Sequence, residues 1–133
     1  MEPVVVYHFV LCRRASYDLG DPVAPYSLHN MVFELGPADT PLDTDLWVFV
    51  RLEGEGEQEF WIEVFRQTED DEDEAEELLA AYGPYVVPFG GQRQTLSRAW
   101  HLLCVPVHLA GIYEFHFLHG SEPIAVETIR VEE

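Results

Sequence analysis

The sequence predicts an all-β protein, an antiparallel β-sandwich of about seven strands that is compatible with a Greek-key order and has at most one short helix, near residues 74–82. Apolar and polar residues alternate with period two in several short runs, which is typical of half-buried strands. Clusters of Gly, Pro and Asp separate these runs at turn positions. At 133 residues the chain can bury a core of its own, so we expect a single domain over 1–133.

The first half of the chain contains four predicted strands. A nearly continuous apolar run, Val4 to Leu11, is typical of a strand that is buried on both faces or sandwiched near an edge. A weaker strand follows at Tyr26 to Leu35. The third strand, Leu46 to Leu52, is joined to the fourth, Gln58 to Gln67, by the short loop Glu53 to Glu57, so this segment predicts a β-hairpin.

The third and fourth strands each have one uniformly apolar face, which we expect to belong to the core. Its members are Leu46, Val48, Val50, Leu52, Phe60, Ile62 and Val64. The opposite face is more aromatic than a solvated sheet face usually is. Its aromatic residues are Trp47, Phe49, Trp61 and Phe65. We interpret these residues as a partner-binding surface; the alternative is that a loop or the segment Tyr85 to Phe89 covers them.

An acidic run follows the predicted hairpin. Residues 69–77, EDDEDEAEE, contain eight acids in nine positions. Such a run is usually solvated, and we interpret it as a loop insert. Residues 74–82 are the one candidate for a short helix, because they contain Ala and Leu, have acids at the N-terminal end and stop at Gly83-Pro84.

The last part of the chain, Ala99 to Val131, predicts three consecutive strands joined by two tight turns. The first two strands each have one apolar face. These faces consist of Leu103, Val105, Val107 and Leu109 in one strand, and of Tyr113, Phe115 and Phe117 in the next. A three-residue turn at Leu109-Ala110-Gly111 brings the two faces together and gives Gly111 the left-handed position. After a second turn at His119 to Glu122, the blurred alternation of the last strand is compatible with a bulge.

This register suggests an alternative function, a metal-dependent binding protein or enzyme. It would place Cys104 opposite His116, and His101 beside His119. Imidazole and thiolate groups on adjacent strands are typical metal ligands. However, the sequence has no H-x-H, C-x-x-C or H-E-x-x-H motif, so we predict no metal site and no cofactor.

A second alternative is a calcium-dependent lipid-binding sandwich. Asp39, Asp43 and Asp45 lie in one predicted loop, where such sandwiches gather their carboxylates. Calcium takes about six to eight oxygen ligands, and a single loop that supplies three carboxylates is a weak basis for a site.

Composition limits the partners. The chain has 25 acidic residues against 7 basic ones, all arginine, and a net charge of -18. This charge repels nucleic-acid phosphates and anionic lipid head groups, so we expect neither nucleic acid nor membrane as a partner, whereas a basic protein is allowed. Cys12 and Cys104 both fall inside predicted strands, and we expect free, buried thiols in a reducing compartment, the cytoplasm. The N-terminus has no signal-peptide pattern, and no apolar run is long enough to span a membrane.

Three segments carry a resemblance to known proteins: YSLHNMVFEL, LWVFVRLEGEGEQEFWIEVF and the ending VPVHLAGIYEFHFLHGSEPIAVETIRV with its G-x-Y-x-F pattern. Together they resemble a family of small bacterial β-sandwich proteins of unassigned function. The resemblance covers most of the chain and departs from it at Glu69 to Tyr82. It implies a sandwich fold and provides no catalytic residues that could be carried over.

No catalytic constellation emerges from the sequence. Cys104 and His116 form the only nucleophile and base that the register brings together, and no glycine-rich elbow or helix N-terminus is near them to build an oxyanion hole. We therefore predict a non-enzymatic, cytoplasmic protein that acts through protein contacts, with a protein partner or by self-association.

Overall fold

A computed structural model describes residues 3–17, 26–32, 34–35, 44–67, 76–107 and 109–132. These residues form nine strands, in chain order β1 (Val5–Tyr17), β2 (Tyr26–Met31), β3 (Glu34–Leu35), β4 (Thr44–Gly54), β5 (Glu57–Gln67), β6 (Glu76–Pro88), β7 (Gln94–Val105), β8 (Gly111–His119) and β9 (Glu122–Val131). Within these ranges, no helix is long and apolar enough to cross a membrane.

The strands form a four-stranded sheet in the order β2-β1-β4-β7 and a five-stranded sheet in the order β3-β9-β8-β5-β6. The pairing of β3 with β9 is parallel and the other pairings are antiparallel. The predicted all-β sandwich is therefore confirmed. The order β1-β4-β7 against β9-β8-β5-β6 corresponds to strands A-B-E against G-F-C-C′ of immunoglobulin-like sandwiches, which have Greek-key connections. A shared fold does not define a function, so the function has to be argued from a site.

The core lies between the two sheets. The seven residues predicted to face it from β4 and β5 are all fully buried, which confirms that part of the prediction. The predicted aromatic face of β8 is buried as well. One residue of this face, Phe117, has its ring 5.2 Å from Phe9 on β1 and 5.1 Å from Phe60 on β5. Aromatic contacts therefore join the two sheets across the core.

The predicted hairpin between β4 and β5 is wrong, because the chain crosses from one sheet to the other between these strands. β4 pairs with β1 and β7, whereas β5 pairs with β6 and β8. Gly54 is required at the crossing, since a Cβ atom there would lie 2.8 Å from the buried ring of Phe89. Two backbone hydrogen bonds fix the corner: Gly56 N–H donates to Gly90 O (2.7 Å), and Phe89 N–H donates to Gly56 O (2.8 Å).

The predicted hairpin between β7 and β8 is also wrong. β7 lies beside β4, whereas β8 lies between β5 and β9, so the connection that includes Leu109 to Gly111 crosses between the sheets. The hairpin of β8 and β9 is as predicted, with His119 paired to Glu122. The last strand does contain a bulge, with which its blurred alternation is compatible, because Phe117 pairs with Ala125 while the next residue of β8 pairs with Pro123.

A bulge in β7 changes which of its side chains face the core. Leu103 and Cys104 together oppose the single residue Asp45 of β4. Cys104 takes a positive φ of 53° at this point. Val105 is buried as predicted, but Leu103 is 57% exposed, because the extra residue reverses the alternation on its N-terminal side. Leu109, also predicted to be buried, is 50% exposed.

The short helix allowed for near residues 74–82 is absent from their described part, because β6 begins at Glu76 and continues as a strand to Pro88. This strand pairs with β5 along its length, and its residues Ala80 and Tyr82 pack against the core. The pairing and the burial outweigh the helical preference of its alanines and leucines. Of the predicted acidic insert at 69–77, only residues 76–77 belong to the described ranges.

The edges of the two sheets meet at β6 and β7. The ring of Tyr85 stacks on Trp100 with centroids 4.4 Å apart. The Tyr82 hydroxyl donates a hydrogen bond to Leu103 O at 3.0 Å. Burial raises the pKa of Tyr82 to about 12, so the hydroxyl remains a donor at physiological pH. These contacts close one side of the sandwich.

Tyr113 fixes the start of β8. Its side chain is fully buried, and its hydroxyl donates a short hydrogen bond of 2.6 Å to Leu109 O. Burial raises the pKa of Tyr113, which keeps the donor protonated. This hydrogen bond ties the connection between β7 and β8 to the start of β8, in the manner of the tyrosine corner of immunoglobulin-like domains.

Replacing Tyr113 with Phe should lower the free energy of unfolding by about 1 kcal/mol, because a buried hydrogen bond is lost while the ring is kept. Urea unfolding followed by tryptophan fluorescence would show a lower midpoint with an unchanged slope. Tyr7→Phe is the matched control, since the Tyr7 hydroxyl is exposed and bonds to Glu53 at 3.2 Å. Equal midpoints for the two variants would contradict a stabilising role for the Tyr113 hydroxyl.

Candidate functional site

The four aromatic residues predicted to form one surface lie on two opposite sides of the sandwich. They alternate with core residues on β4 and β5, so each points away from the core. Because β4 and β5 belong to different sheets, Trp47 and Phe49 lie on the outer face of the four-stranded sheet, and Trp61 and Phe65 lie on the outer face of the five-stranded sheet. The structure therefore brings them together as two pairs.

The first pair is covered in part by neighbouring rings. Trp47 stacks on His101 with centroids 4.6 Å apart and an interplanar angle of 1°. Phe49 contacts Tyr26 of β2 at 5.4 Å. Tyr26 in turn contacts Tyr17 at 4.8 Å. The segment predicted to cover this face, Tyr85 to Phe89, instead lies in and just after β6, with Val87 and Phe89 in the core.

The second pair belongs to a broader face shared by β6, β5, β8 and β9. Cross-strand register places Trp61 beside Leu118, Glu63 beside His116, and Phe65 beside Glu114. The ring of Trp61 rests on Gly83, where a Cβ atom would lie 2.9 Å from it. A shallow depression of about 250 Å³ lies next to this tryptophan and is lined by Trp61, Glu63, Ala81, Leu118, Gly120 and Ser121.

Exposed apolar residues surround this pair. Leu78 of β6 lies opposite Phe65 and is 51% exposed. Val126 of β9 lies opposite His116 and is 49% exposed. These two positions were not singled out in the sequence, because their place on the face depends on pairings that the sequence pattern does not reveal. We refer to Trp61, Glu63, Phe65, Leu78, Glu114, His116 and Val126 as the β5–β8 face.

An acid and an imidazole lie side by side at the centre of the β5–β8 face. His116 Nε2 is 3.5 Å from Glu114 Oε2, and the two side chains are only 19% and 18% exposed. The ring of His116 contacts Phe65 with centroids 4.6 Å apart. Among the described residues, His116 Nε2 has no hydrogen-bond partner. The centre of the face is thus polar but shielded from solvent.

The candidate ligands of the alternative metal hypothesis are not brought together. His101 and Cys104 lie on β7 in one sheet, whereas His116 and His119 lie on β8 in the other, so the pairs expected from the β7–β8 register are wrong. His119 Nε2 is 2.8 Å from Gln58 Oε1 instead. Within the described ranges, no three His, Cys, Asp or Glu residues are grouped so that they could hold a metal ion.

Of the predicted calcium ligands, Asp39 and Asp43 lie outside the described residues. Asp45 stabilises the bulge in β7, because its Oδ1 accepts a hydrogen bond of 3.1 Å from Cys104 N–H. Its Oδ2 lies 3.6 Å from His101 Nε2. One carboxylate thus stabilises the bulged backbone and faces the imidazole beside it.

Both cysteines are free, but their environments differ. Cys12 is fully buried as predicted, and burial raises the pKa of its thiol. Cys104 is exposed, contrary to the prediction, because the bulge turns it outward.

Comparison of the chain with protein-family models and with curated proteins finds no match in either set. The resemblance to small bacterial β-sandwich proteins therefore stays a prediction.

The two thiols should differ in reactivity. A thiol reacts with Ellman's reagent as the thiolate and only where the reagent can reach it. Cys104 is exposed and should react readily in the native state, whereas Cys12 is buried and should react only after unfolding. Counting released thionitrobenzoate before and after addition of guanidinium chloride measures this. Cys104→Ser should remove the fast reaction and Cys12→Ser should leave it. Two fast thiols in the native protein would contradict the burial of Cys12.

Transition metals should not stabilise the protein, because the four candidate ligands are divided between two sheets. We expect metal-stripped protein to keep the same melting temperature when zinc or nickel is added. Differential scanning fluorimetry measures it. A saturable rise that is lost in His116→Ala or His101→Ala would instead establish a metal site at that histidine.

Proposed function

We propose that this protein is a non-enzymatic β-sandwich that acts through protein contacts, and that its β5–β8 face binds a basic protein partner. The observation that carries this proposal is the combination of Trp61 and Phe65 with the carboxylates of Glu63 and Glu114 on one face. Large aromatic side chains provide much of the binding energy at protein interfaces. Carboxylates beside them select the charge of the partner.

The apolar part of the face supports protein binding. Trp61 and Phe65 are partly buried in their own sheet, so they are held in place before a partner arrives. Leu78 and Val126 are about half exposed at the neighbouring positions. Covering such preorganised apolar surface favours association, because little side-chain entropy is lost.

The charge of the face favours a basic partner over a second copy of this chain. Glu63 lies beside His116 and Glu114 lies beside Phe65, while Glu59 is exposed further along β5. In a symmetric dimer these carboxylates would approach one another, and each copy carries a net charge of -18. An Arg or Lys side chain of a basic partner would instead pair with these carboxylates, and it could also lie against the ring of Phe65.

The proposal includes the absence of enzymatic activity and a cytoplasmic location. Cys104 contributes its backbone N–H, rather than its thiol, to the contact with Asp45. A free thiol on the surface suits a reducing compartment. The strong negative charge argues against nucleic acid and anionic membranes as partners.

Adding a positive charge to the β5–β8 face should abolish partner binding. Val126→Arg is the main variant, because Val126 is exposed and its replacement should leave the fold intact. Trp61→Arg is the second variant, and Thr95→Arg is the matched control, an exposed β-branched position on β7 in the other sheet. Wild type and control should retain the same basic protein from a lysate of the native host, and that protein should elute as salt is raised.

Circular dichroism and thermal melts would first confirm that all variants are folded, and sedimentation velocity of the wild type would test self-association. Equal retention by wild type and Val126→Arg would contradict the proposed face. A concentration-dependent dimer that Val126→Arg disrupts would contradict the choice of a basic partner.

A further inference from the structure

A second candidate site lies at the far end of the five-stranded sheet, where β5 ends and β8 begins. A cavity of about 630 Å³ opens there, and its lining includes Arg66, Gln67, Gly111, Ile112, Arg130 and Glu132. The volume is within the range of small-molecule sites. Only 7 of the 133 residues are basic, so the presence of two arginines in one cavity sets it apart from the acidic surface.

Arg66 is held in place by its surroundings. Its Nη2 donates a hydrogen bond of 2.8 Å to Ala110 O, and its guanidinium also interacts with the Tyr113 hydroxyl. Gly111 leaves room for the Arg66 side chain, because a Cβ atom there would lie 3.3 Å from Arg66 Nε. Gly111 also has a φ of 145°, which side chains rarely tolerate. The guanidinium is therefore preorganised before any ligand binds.

No ion pair neutralises the two arginines of this cavity among the side chains that the structure describes. Arg66 donates a hydrogen bond to a neutral carbonyl, that of Ala110, and its Nε is buried without a partner. No described carboxylate forms an ion pair with Arg66 or Arg130, although Glu132 lies in the same lining. A buried charged donor without a partner is costly, and an anion in the cavity would offset that cost.

We propose that this cavity binds a small organic anion that carries a carboxylate or phosphate group. Arg66 and Arg130 hold the anionic group, because guanidinium groups match the planar, paired acceptors of carboxylates and phosphates. Ile112, which is 40% exposed and also in the lining, contacts the carbon skeleton. Glu132 and Gln67 offer acceptors for a hydroxyl or amino group of the same ligand. This site is separate from the β5–β8 face, so the proposal stands independently of the proposed function.

Nuclear magnetic resonance on the full chain tests the proposal with two probes, inorganic phosphate and lactate, at constant ionic strength set by sodium chloride. We expect saturable shifts of the Arg66 Nε–H and Gly111 amide signals with at least one probe. Saturation with phosphate alone would identify a phosphate site, and saturation with lactate alone a carboxylate site. Arg130→Gln should weaken binding about tenfold, the effect of losing one charge-assisted hydrogen bond.

Arg51→Gln is the matched control, because it removes the same charge from an exposed position on β4, outside the cavity. It should bind the probe as the wild type does. Arg66→Gln, once shown to be folded by its amide spectrum, should abolish binding. The proposal is overturned if neither probe produces a saturable shift beyond that of chloride, or if Arg130→Gln and Arg51→Gln bind equally well.

Discussion

The apolar faces of β4 and β5 meet across the core, and the rest of the structure depends on the crossing that brings them there. If these strands were neighbours in one sheet, their seven apolar side chains would lie on a single face, and another sheet or helix would have to cover that face. Facing each other, they bury one another, and burial of each large side chain contributes roughly 1.5–3 kcal/mol. Gly54 permits the crossing, because its missing Cβ leaves room for the ring of Phe89. The connection between β7 and β8 also crosses from one sheet to the other, since β7 pairs with β4 and β8 pairs with β5.

The alternation of side chains could be predicted from the sequence, but the pairing of the strands could not. Period two identifies which residues share a face, and all seven core predictions on β4 and β5 are confirmed. The same pattern fits both a hairpin and a crossing between sheets, and the loop Glu53 to Glu57 is short enough for either. The bulge at Cys104 could not be predicted for a related reason: it depends on Asp45, a residue of another strand. At β6, tertiary pairing with β5 prevails over an Ala- and Leu-rich composition.

The same limit applies to the candidate site: the face of each residue could be predicted, but the pairing of its strand could not. The outward direction of Trp61 and Phe65, and the common face of Glu114 and His116, could be predicted from alternation alone. The separation of Trp61 and Phe65 from Trp47 and Phe49 required knowledge of sheet membership. The proposed histidine and cysteine pairs depended on a pairing of β7 with β8, and these two strands lie in different sheets. Contacts between side chains of distant strands are set by topology, so a sequence pattern indicates faces more reliably than sites.

The distribution of the arginines supports the view that the two proposed sites are separate. Arg93 lies near the crossing at Gly54, and its Nε donates to Glu53 Oε2 at 2.8 Å. Arg66 and Arg130 lie at the opposite end of the five-stranded sheet and have no such ion pair among the described residues, in a chain with 25 acids. A shortage of carboxylates cannot explain this difference. β5 thus presents Glu63 and Phe65 on its outer face and Arg66 at its end, so one strand borders both the face proposed to bind a basic partner and the cavity proposed to bind an anion.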